Sequence, residues 1–268
     1  MNQCDAAREK CFLQYVLNAR LIYFFAAIII VIDRRDDIMK FTTLLIDADD
    51  TIFDFSKCEY EALRLTLERG GYCFDDELHR RFSKINIGLW KQFEMNKITR
   101  AELRVERFKK LLEMCFAGCV DNPRRYPILA EKFVDNLSRQ SALIDGAREA
   151  LQKLSRVYDI HIITNGLKKV QYGRMEKAEL EGCYNKLFVS EEIGIQKPDK
   201  AFFEYVFDRI NEKDHSKILV VGDSLTSDMQ GGKNAGLCTC IYDPKGKITM
   251  PHPLCDYRIE KLGELLDF

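Results

Sequence analysis

Several features common in specialised proteins are missing from this chain of 268 residues, and each absence excludes a class of function. Its 41 basic and 42 acidic residues leave a formal net charge of −1, which argues against a broad nucleic-acid surface. An anionic ligand must therefore be held by a few placed groups. No internal repeat or low-complexity tract occurs. With 46% hydrophobic and 31% charged residues, the composition is that of an ordinary globular protein, not a disordered one.

The ten cysteines show no C-x-x-C pair, and their spacing fits neither a zinc site nor a redox motif. We expect them to be reduced and mostly buried, as small apolar side chains in a cytoplasmic protein.

The first 38 residues differ in character from the rest. Residues 21–32 (LIYFFAAIIIVI) are a continuous apolar run, but a membrane span needs about 20 such residues. Extending the segment back to residue 12 reaches that length only by including Asn18 and Arg20. We predict that residues 1–38 are an N-terminal extension, with no membrane partner. A membrane anchor through residues 12–32 is the alternative.

From residue 39 onward, short apolar runs alternate with stretches of helical periodicity. Such alternation predicts crossover units and a parallel sheet with helices on both faces, an α/β doubly wound fold. The predicted strands are residues 42–47, 159–164, 186–189, 217–221 and 237–242.

The stretch after the first predicted strand has helical periodicity and little strand character. We interpret residues 56–140 as a helical cap domain, inserted into a core domain formed by residues 39–55 and 141–268. Helices are also predicted over residues 168–180 and 200–210. Ligands of such sheets bind at the carboxyl ends of the strands, near a reversal of strand order.

Polar signals follow four of the predicted strands. Directly after the first comes DADDT, in which Asp47 and Asp49 are two residues apart. Two carboxylates on one strand-end loop can serve the same reaction: one attacks phosphorus, and the other donates and accepts protons. Taken alone, however, an acidic cluster in this position is usually a solvated turn or a helix cap.

The second and third signals are suited to an anion. Thr164 and Asn165, with Gly166, end the second strand, where a hydroxyl and free backbone N–H groups fit a phosphate oxygen or simply cap a helix. Lys197 precedes a proline, and there it is either a solvated loop residue or the cation that neutralises nucleophile and phosphate.

The fourth signal is GDSLTSD, which contains Asp223 and Asp228 after the apolar run KILVV. Carboxylates at such a turn suit a hard cation with oxygen ligands. Several acids converging on one pocket would repel one another without a metal, and Mg²⁺ would relieve that repulsion.

In order and spacing, these four motifs resemble the haloacid dehalogenase (HAD) superfamily of hydrolases, from about residue 39 to the end of the chain. The resemblance implies that Asp47 is the nucleophile that becomes an aspartyl phosphate and that Asp49 is the general acid and base. Thr164, Asn165 and Lys197 would hold the phosphate.

The same resemblance implies an Mg²⁺ ion bound by the Asp47 carboxylate, the Asp49 backbone carbonyl and Asp223, with Asp228 orienting these groups. Because a dehalogenase needs no leaving-group acid, Asp49 favours phosphate chemistry.

Four segments, DADDTIFDF, IGLWKQFEMNKIT, TNGLKKVQ and SEEIGIQKP, are similar to the YjjG-type pyrimidine 5'-nucleotidases. This narrower resemblance implies a small phosphate ester as substrate, namely a canonical or noncanonical pyrimidine nucleoside monophosphate. Trp90 and Phe93 could stack on its base, but at helical spacing we expect them to pack within the cap. The alternatives are a sugar-phosphate or phosphoglycolate phosphatase, a phosphomutase, or a non-catalytic binding module.

Overall fold

The predicted strands form one sheet whose neighbouring strands all run parallel. The computed structural model describes residues 40–116 and 122–268. Within them, the sheet has six strands in the order β3-β2-β1-β4-β5-β6. The strands are β1 (Thr43–Ile46), β2 (Asp159–Thr164), β3 (Lys186–Val189), β4 (Ile218–Gly222), β5 (Cys238–Tyr242) and β6 (Tyr257–Ile259).

The strand order reverses at β1. From β1 the chain moves outward through β2 to β3, and then returns to place β4 on the other side of β1. Ile46, the last residue of β1, pairs with Ile162 on one side and Val221 on the other, so the carboxyl ends of three strands are nearly level. This is the place where doubly wound sheets bind their ligands.

Both faces of the sheet are covered, which is why its central strands are continuously apolar. Side chains alternate along β1: Leu44 and Ile46 belong to the apolar cluster on one face, and Leu45 belongs to the cluster on the other. Numbered in chain order after the four helices of the insertion, the helices that cover the sheet are α5 (Ala147–Leu154), α6 (Lys168–Lys177), α7 (Ser190–Ile193), α8 (Lys200–Phe207) and α9 (Gln230–Asn234).

Between β1 and α5, the residues that the structure describes form four helices, as the periodicity indicates. They are α1 (Phe55–Arg69), α2 (Asp76–Glu94), α3 (Arg100–Cys115) and α4 (Arg125–Leu137). Leu63, Phe82, Phe108 and Phe133 supply one side chain from each helix to a common buried cluster. The insertion of helices is therefore observed, while its treatment as a separate cap domain with limits at 56 and 140 stays a prediction.

Some local expectations differ from the structure. Helix α6 ends at Lys177, three residues earlier than predicted, because Glu179 adopts a left-handed backbone (φ 51°) that cannot continue a helix. Helix α8 likewise ends at Phe207 instead of residue 210. The seven cysteines of the described residues are all free thiols. Among residues 40–116 and 122–268, none of the helices is long and apolar enough to cross a membrane. The predictions for residues 1–38 lie outside this range.

Candidate active site

Asp47 is the first residue beyond β1 and the centre of the candidate site. Its backbone N–H donates to the carbonyl of Val221 in β4 (2.8 Å), and the residue is 7% exposed. The ammonium group of Lys197 donates to Asp47 Oδ1 (2.5 Å), to Asp228 Oδ1 (2.6 Å) and to the carbonyl oxygen of Ile163 (3.0 Å). All three ammonium donors are thus used within a buried, charge-paired group.

Burial and pairing act against each other on these charges. Burial disfavours the charged form of Lys197, but the adjacent Asp228 and Asp47 carboxylates more than offset it and raise the lysine pKa above its usual value. Burial raises the pKa of Asp47 to about 8, although Lys197 opposes this shift. One lysine is therefore not enough positive charge for this group of carboxylates.

A third carboxylate completes the cluster. One oxygen from each of Asp47, Asp223 and Asp228 lies within 4.8 Å of the other two. Desolvation by the surrounding protein raises the pKa of Asp223 well above its ordinary value, and Asp47 and Asp228 raise it further, although the side chain reaches solvent. A hard divalent cation with oxygen ligands fits this donor set, because it supplies the missing positive charge.

The backbone after β4 is shaped to present Asp228. A Cβ atom at Gly222 would overlap the Asp228 carboxylate, so a residue without a side chain is required there. Asp228 lies in a π-helical segment (Leu225–Met229), and its Oδ2 accepts from the Ser224 N–H (3.2 Å). Bound in this way to Lys197 and to the loop, Asp228 can orient the cluster.

Asn165 and Thr164 make contacts that the sequence did not predict. Both polar atoms of the Asn165 side chain bond to the backbone of Lys197: Nδ2 donates to its carbonyl (2.8 Å), and Oδ1 accepts from its N–H (2.9 Å). The buried hydroxyl of Thr164 accepts from the Gly166 N–H (3.0 Å). Asn165 therefore braces the lysine loop, and the phosphate contacts of both residues remain predictions.

Asp49 is held by two side chains that sequence reasoning missed. Gln171 Nε2 donates to Asp49 Oδ2 (2.7 Å), and Arg174 Nη1 donates to Asp49 Oδ1 in an ion pair. Gln171 and Arg174 are three residues apart on α6, hence on one face of that helix. The spacing of Gln171 and Arg174 on the helix that follows Thr164 is the one feature of the sequence that could have indicated their role.

The helical insertion touches the site loops at one corner. Glu94, at the end of α2, accepts from the hydroxyl of Thr226 (3.1 Å), and Gln196 donates to the carbonyl of Phe93 (3.1 Å). Beside these contacts lies a cavity of about 490 Å³, whose lining includes Phe93 and Arg100 but none of the predicted catalytic residues. Trp90 and Phe93 pack against each other with ring centroids 5.5 Å apart, in agreement with the packing interpretation.

This chain is similar in sequence and structure to known hydrolases. Residues 41–236 match the sequence model of the haloacid dehalogenase-like hydrolase family. YfnB of Bacillus subtilis, named as a HAD-hydrolase, is 39% identical over 226 residues, covering 84% of this chain and 94% of YfnB. A crystal structure of YfnB bound to magnesium superimposes with a TM-score of 0.78 at 38% identity, over 85% of this chain and 98% of that one.

Two further relatives carry a more specific name. The pyrimidine 5'-nucleotidase PynA of Streptococcus pneumoniae is 34% identical, covering 85% of this chain and 95% of PynA. The pyrimidine 5'-nucleotidase YjjG of Escherichia coli is 31% identical, covering 75% of this chain and 86% of YjjG. The similarity extends along nearly the whole of each relative.

Proposed function

Since this chain belongs to the haloacid dehalogenase-like hydrolase family, we propose that it is a magnesium-dependent phosphomonoesterase with Asp47 as its covalent nucleophile. The observation that carries the proposal is the position of Asp47: it is buried at the reversal of strand order, 2.5 Å from the Lys197 ammonium and beside Asp223 and Asp228. A carboxylate in that position can attack a phosphoryl group whose charge is already balanced.

The reaction then takes two steps. In the first, an Asp47 carboxylate oxygen bonds to phosphorus while the bond from phosphorus to the ester oxygen breaks, and Asp49 gives its proton to the departing oxygen. In the second, Asp49 removes a proton from water, which attacks the aspartyl phosphate, so that inorganic phosphate leaves and Asp47 is regenerated. The Thr164 hydroxyl would hold a phosphoryl oxygen, and the Lys197 ammonium would balance the phosphoryl charge.

Asp47, Asp223 and the backbone carbonyl of Asp49 would hold the Mg²⁺ ion. When bound, the ion supplies positive charge that polarises the phosphoryl group and favours the ionised form of the nucleophile. Asp228 would act on the cluster through its contacts with Lys197 and the Ser224 N–H.

Removal of divalent metal should therefore abolish activity, and added Mg²⁺ should restore it. The physical reason is the unbalanced charge of Asp47, Asp223 and Asp228, whose oxygens lie within 4.8 Å of one another. Phosphate release in chelator, followed by Mg²⁺ titration, tests this. Mg²⁺ should also raise the midpoint of thermal unfolding of the wild-type protein, and Asp223→Asn should lose most of that rise. Unchanged hydrolysis in chelator would rule out the metal's role.

We further propose that the substrate is a pyrimidine nucleoside 5'-monophosphate, including noncanonical ones. The similarity to PynA and YjjG, both named pyrimidine 5'-nucleotidases, covers 95% and 86% of those proteins and supports this assignment. The helical insertion, which contacts the site loops through Glu94 and Phe93, supports a small ester over a large protein substrate. A cytoplasmic location, with no nucleic-acid polymer or membrane as partner, belongs to the same proposal.

A panel of phosphomonoesters with Mg²⁺ should reveal this preference. We expect kcat/KM for uridine and thymidine 5'-monophosphates to exceed that for purine nucleotides, sugar phosphates and phosphoglycolate by at least about tenfold, a ratio that pocket contacts can supply. Asp47→Asn serves as the blank. Preference for a sugar phosphate or phosphoglycolate would keep the mechanism and reject the nucleotidase assignment. Absence of release from every ester would favour a phosphomutase or a binding module.

A further inference from the structure

The Asp49 carboxylate is bound on both of its oxygens by one helix, α6. We infer that Gln171 and Arg174 are positioning residues that fix the direction in which Asp49 exchanges its proton. This inference rests on the proposed function, in which Asp49 is the general acid and base. It adds two residues to the reaction that the four motifs do not contain.

The contacts are direct and shielded from solvent. Arg174 Nη1 donates to Oδ1 of Asp49, and Gln171 Nε2 donates to Oδ2 (2.7 Å). Arg174 is 0% exposed and Gln171 1% exposed, whereas the Asp49 side chain is 29% exposed. The carboxylate is therefore held by two buried donors while part of it remains accessible to solvent and to a substrate.

Stability alone is a poor explanation for this arginine. Burying a guanidinium group is costly, and an apolar side chain of similar volume often serves stability equally well. Within the described part of the chain, Asp49 is the only carboxylate in an ion pair with Arg174, and Arg174 Nε has no hydrogen-bond partner. The guanidinium also lies over the rings of Phe53 (4.2 Å to the centroid) and Phe55 (5.9 Å), and it donates to the sulfur of Cys58 (3.6 Å).

The local sequence is arranged so that both side chains can reach Asp49. A Cβ atom at Gly166 would collide with the Gln171 side chain, so glycine leaves the space that this amide occupies. Leu167 and Val170, also on this segment, are buried in the apolar cluster of the inserted helices. Helix α6 is thus anchored on the side that faces the insertion while it presents Gln171 and Arg174 to the site.

These two hydrogen bonds still allow the Asp49 carboxylate to bind and release a proton. Each carboxylate oxygen has a second lone-pair direction after accepting one hydrogen bond, so a proton can enter or leave there without breaking either contact. Two donors fix the plane of the carboxylate, and general acid catalysis depends on such alignment with the departing oxygen.

Esters with poor leaving groups should depend on this alignment far more than esters with good ones. The 5'-oxygen of a nucleoside must receive a proton as its bond to phosphorus breaks, whereas p-nitrophenolate departs without one. The ratio of kcat/KM for a nucleoside monophosphate to kcat/KM for p-nitrophenyl phosphate therefore reports on Asp49, and general damage to the fold would lower both values together.

The test compares Arg174→Met and Gln171→Met with Lys177→Met, an exposed position on the same helix. We expect Arg174→Met to lose about 10²-fold or more in kcat/KM on uridine 5'-monophosphate, the scale of a general acid's contribution, and clearly less on p-nitrophenyl phosphate. Gln171→Met should change the ratio in the same direction, Arg174→Lys should recover part of it, and Lys177→Met should leave both values unchanged. Circular dichroism and thermal melting identify any variant that fails to fold.

Equal losses on the two esters in folded Arg174 and Gln171 variants would overturn the inference and leave these residues a structural role. That result would leave the proposed function intact, since the wild type would still hydrolyse both esters. If the wild type released phosphate from neither ester, the proposed function would be refuted, and the role of the two residues with it.

Discussion

Asp47→Asn should lose roughly 10⁵-fold in turnover while keeping its fold, because removing a covalent nucleophile costs this order of rate. The amide oxygen of asparagine does not form the acyl phosphate that the proposed first step requires. The fold should survive, since asparagine has nearly the same shape and its oxygen can still accept from Lys197, which also retains Asp228 as a partner. Phosphate release with Mg²⁺ and a single-turnover trap for phosphoenzyme both measure the loss.

Asp50→Asn is the matched control, in the same loop and with the same change of chemistry. Asp50 has a left-handed backbone (φ 55°), which asparagine tolerates, and its Oδ1 accepts from the Phe55 N–H (3.2 Å), as an amide oxygen also can. This control should keep most of its activity. An Asp47→Asn protein with a near-native rate would show that another group attacks phosphorus.

Most of the fold could be predicted from the sequence, because the strands of a parallel sheet buried on both faces are continuous apolar runs that differ clearly from the helical segments between them. β1 to β5 were all predicted, each to within one residue at either end. β6 was not, since Tyr257–Ile259 is three residues long with a charged residue in its middle. Its extended form depends on pairing with Cys240 to Tyr242 in β5, a tertiary contact with no local signal.

The positions of the candidate site residues in the fold were predictable, and their partners were not. Strand-end motifs located Asp47, Asp223 and Lys197 because the carboxyl ends of parallel strands meet at one edge of a sheet. That the lysine is 1% exposed and bridges two carboxylates depends on residues 150 and 31 positions away along the chain. Arg174 was missed for the same reason: on a helix whose apolar and polar residues are not segregated to opposite faces, a fully buried arginine looks like a surface one.

Lys197→Met should unfold more easily than the wild type by about 3–5 kcal/mol near pH 8, the usual cost of removing one partner from a buried ion pair. The substitution leaves the carboxylates of Asp47 and Asp228 without their shared cation. Because Lys197 lowers the pKa of Asp47, which burial raises to about 8, that pKa should rise further in the variant. The variant should also lose activity, since the phosphoryl charge is no longer balanced.

The pH dependence separates lost charge balance from lost packing. A carboxyl group whose pKa is higher in the folded state than in the unfolded state binds more protons when folded, so its contribution to stability falls as pH rises. In chelator, the difference in unfolding free energy between wild type and Lys197→Met should therefore be larger at pH 8 than at pH 5. Lys200→Met, which removes an exposed lysine paired with Glu204, should change stability by less than about 0.5 kcal/mol at either pH. An equal difference at both pH values would mean that Lys197 stabilises the core through its methylene contacts, and that the carboxylates do not need its charge.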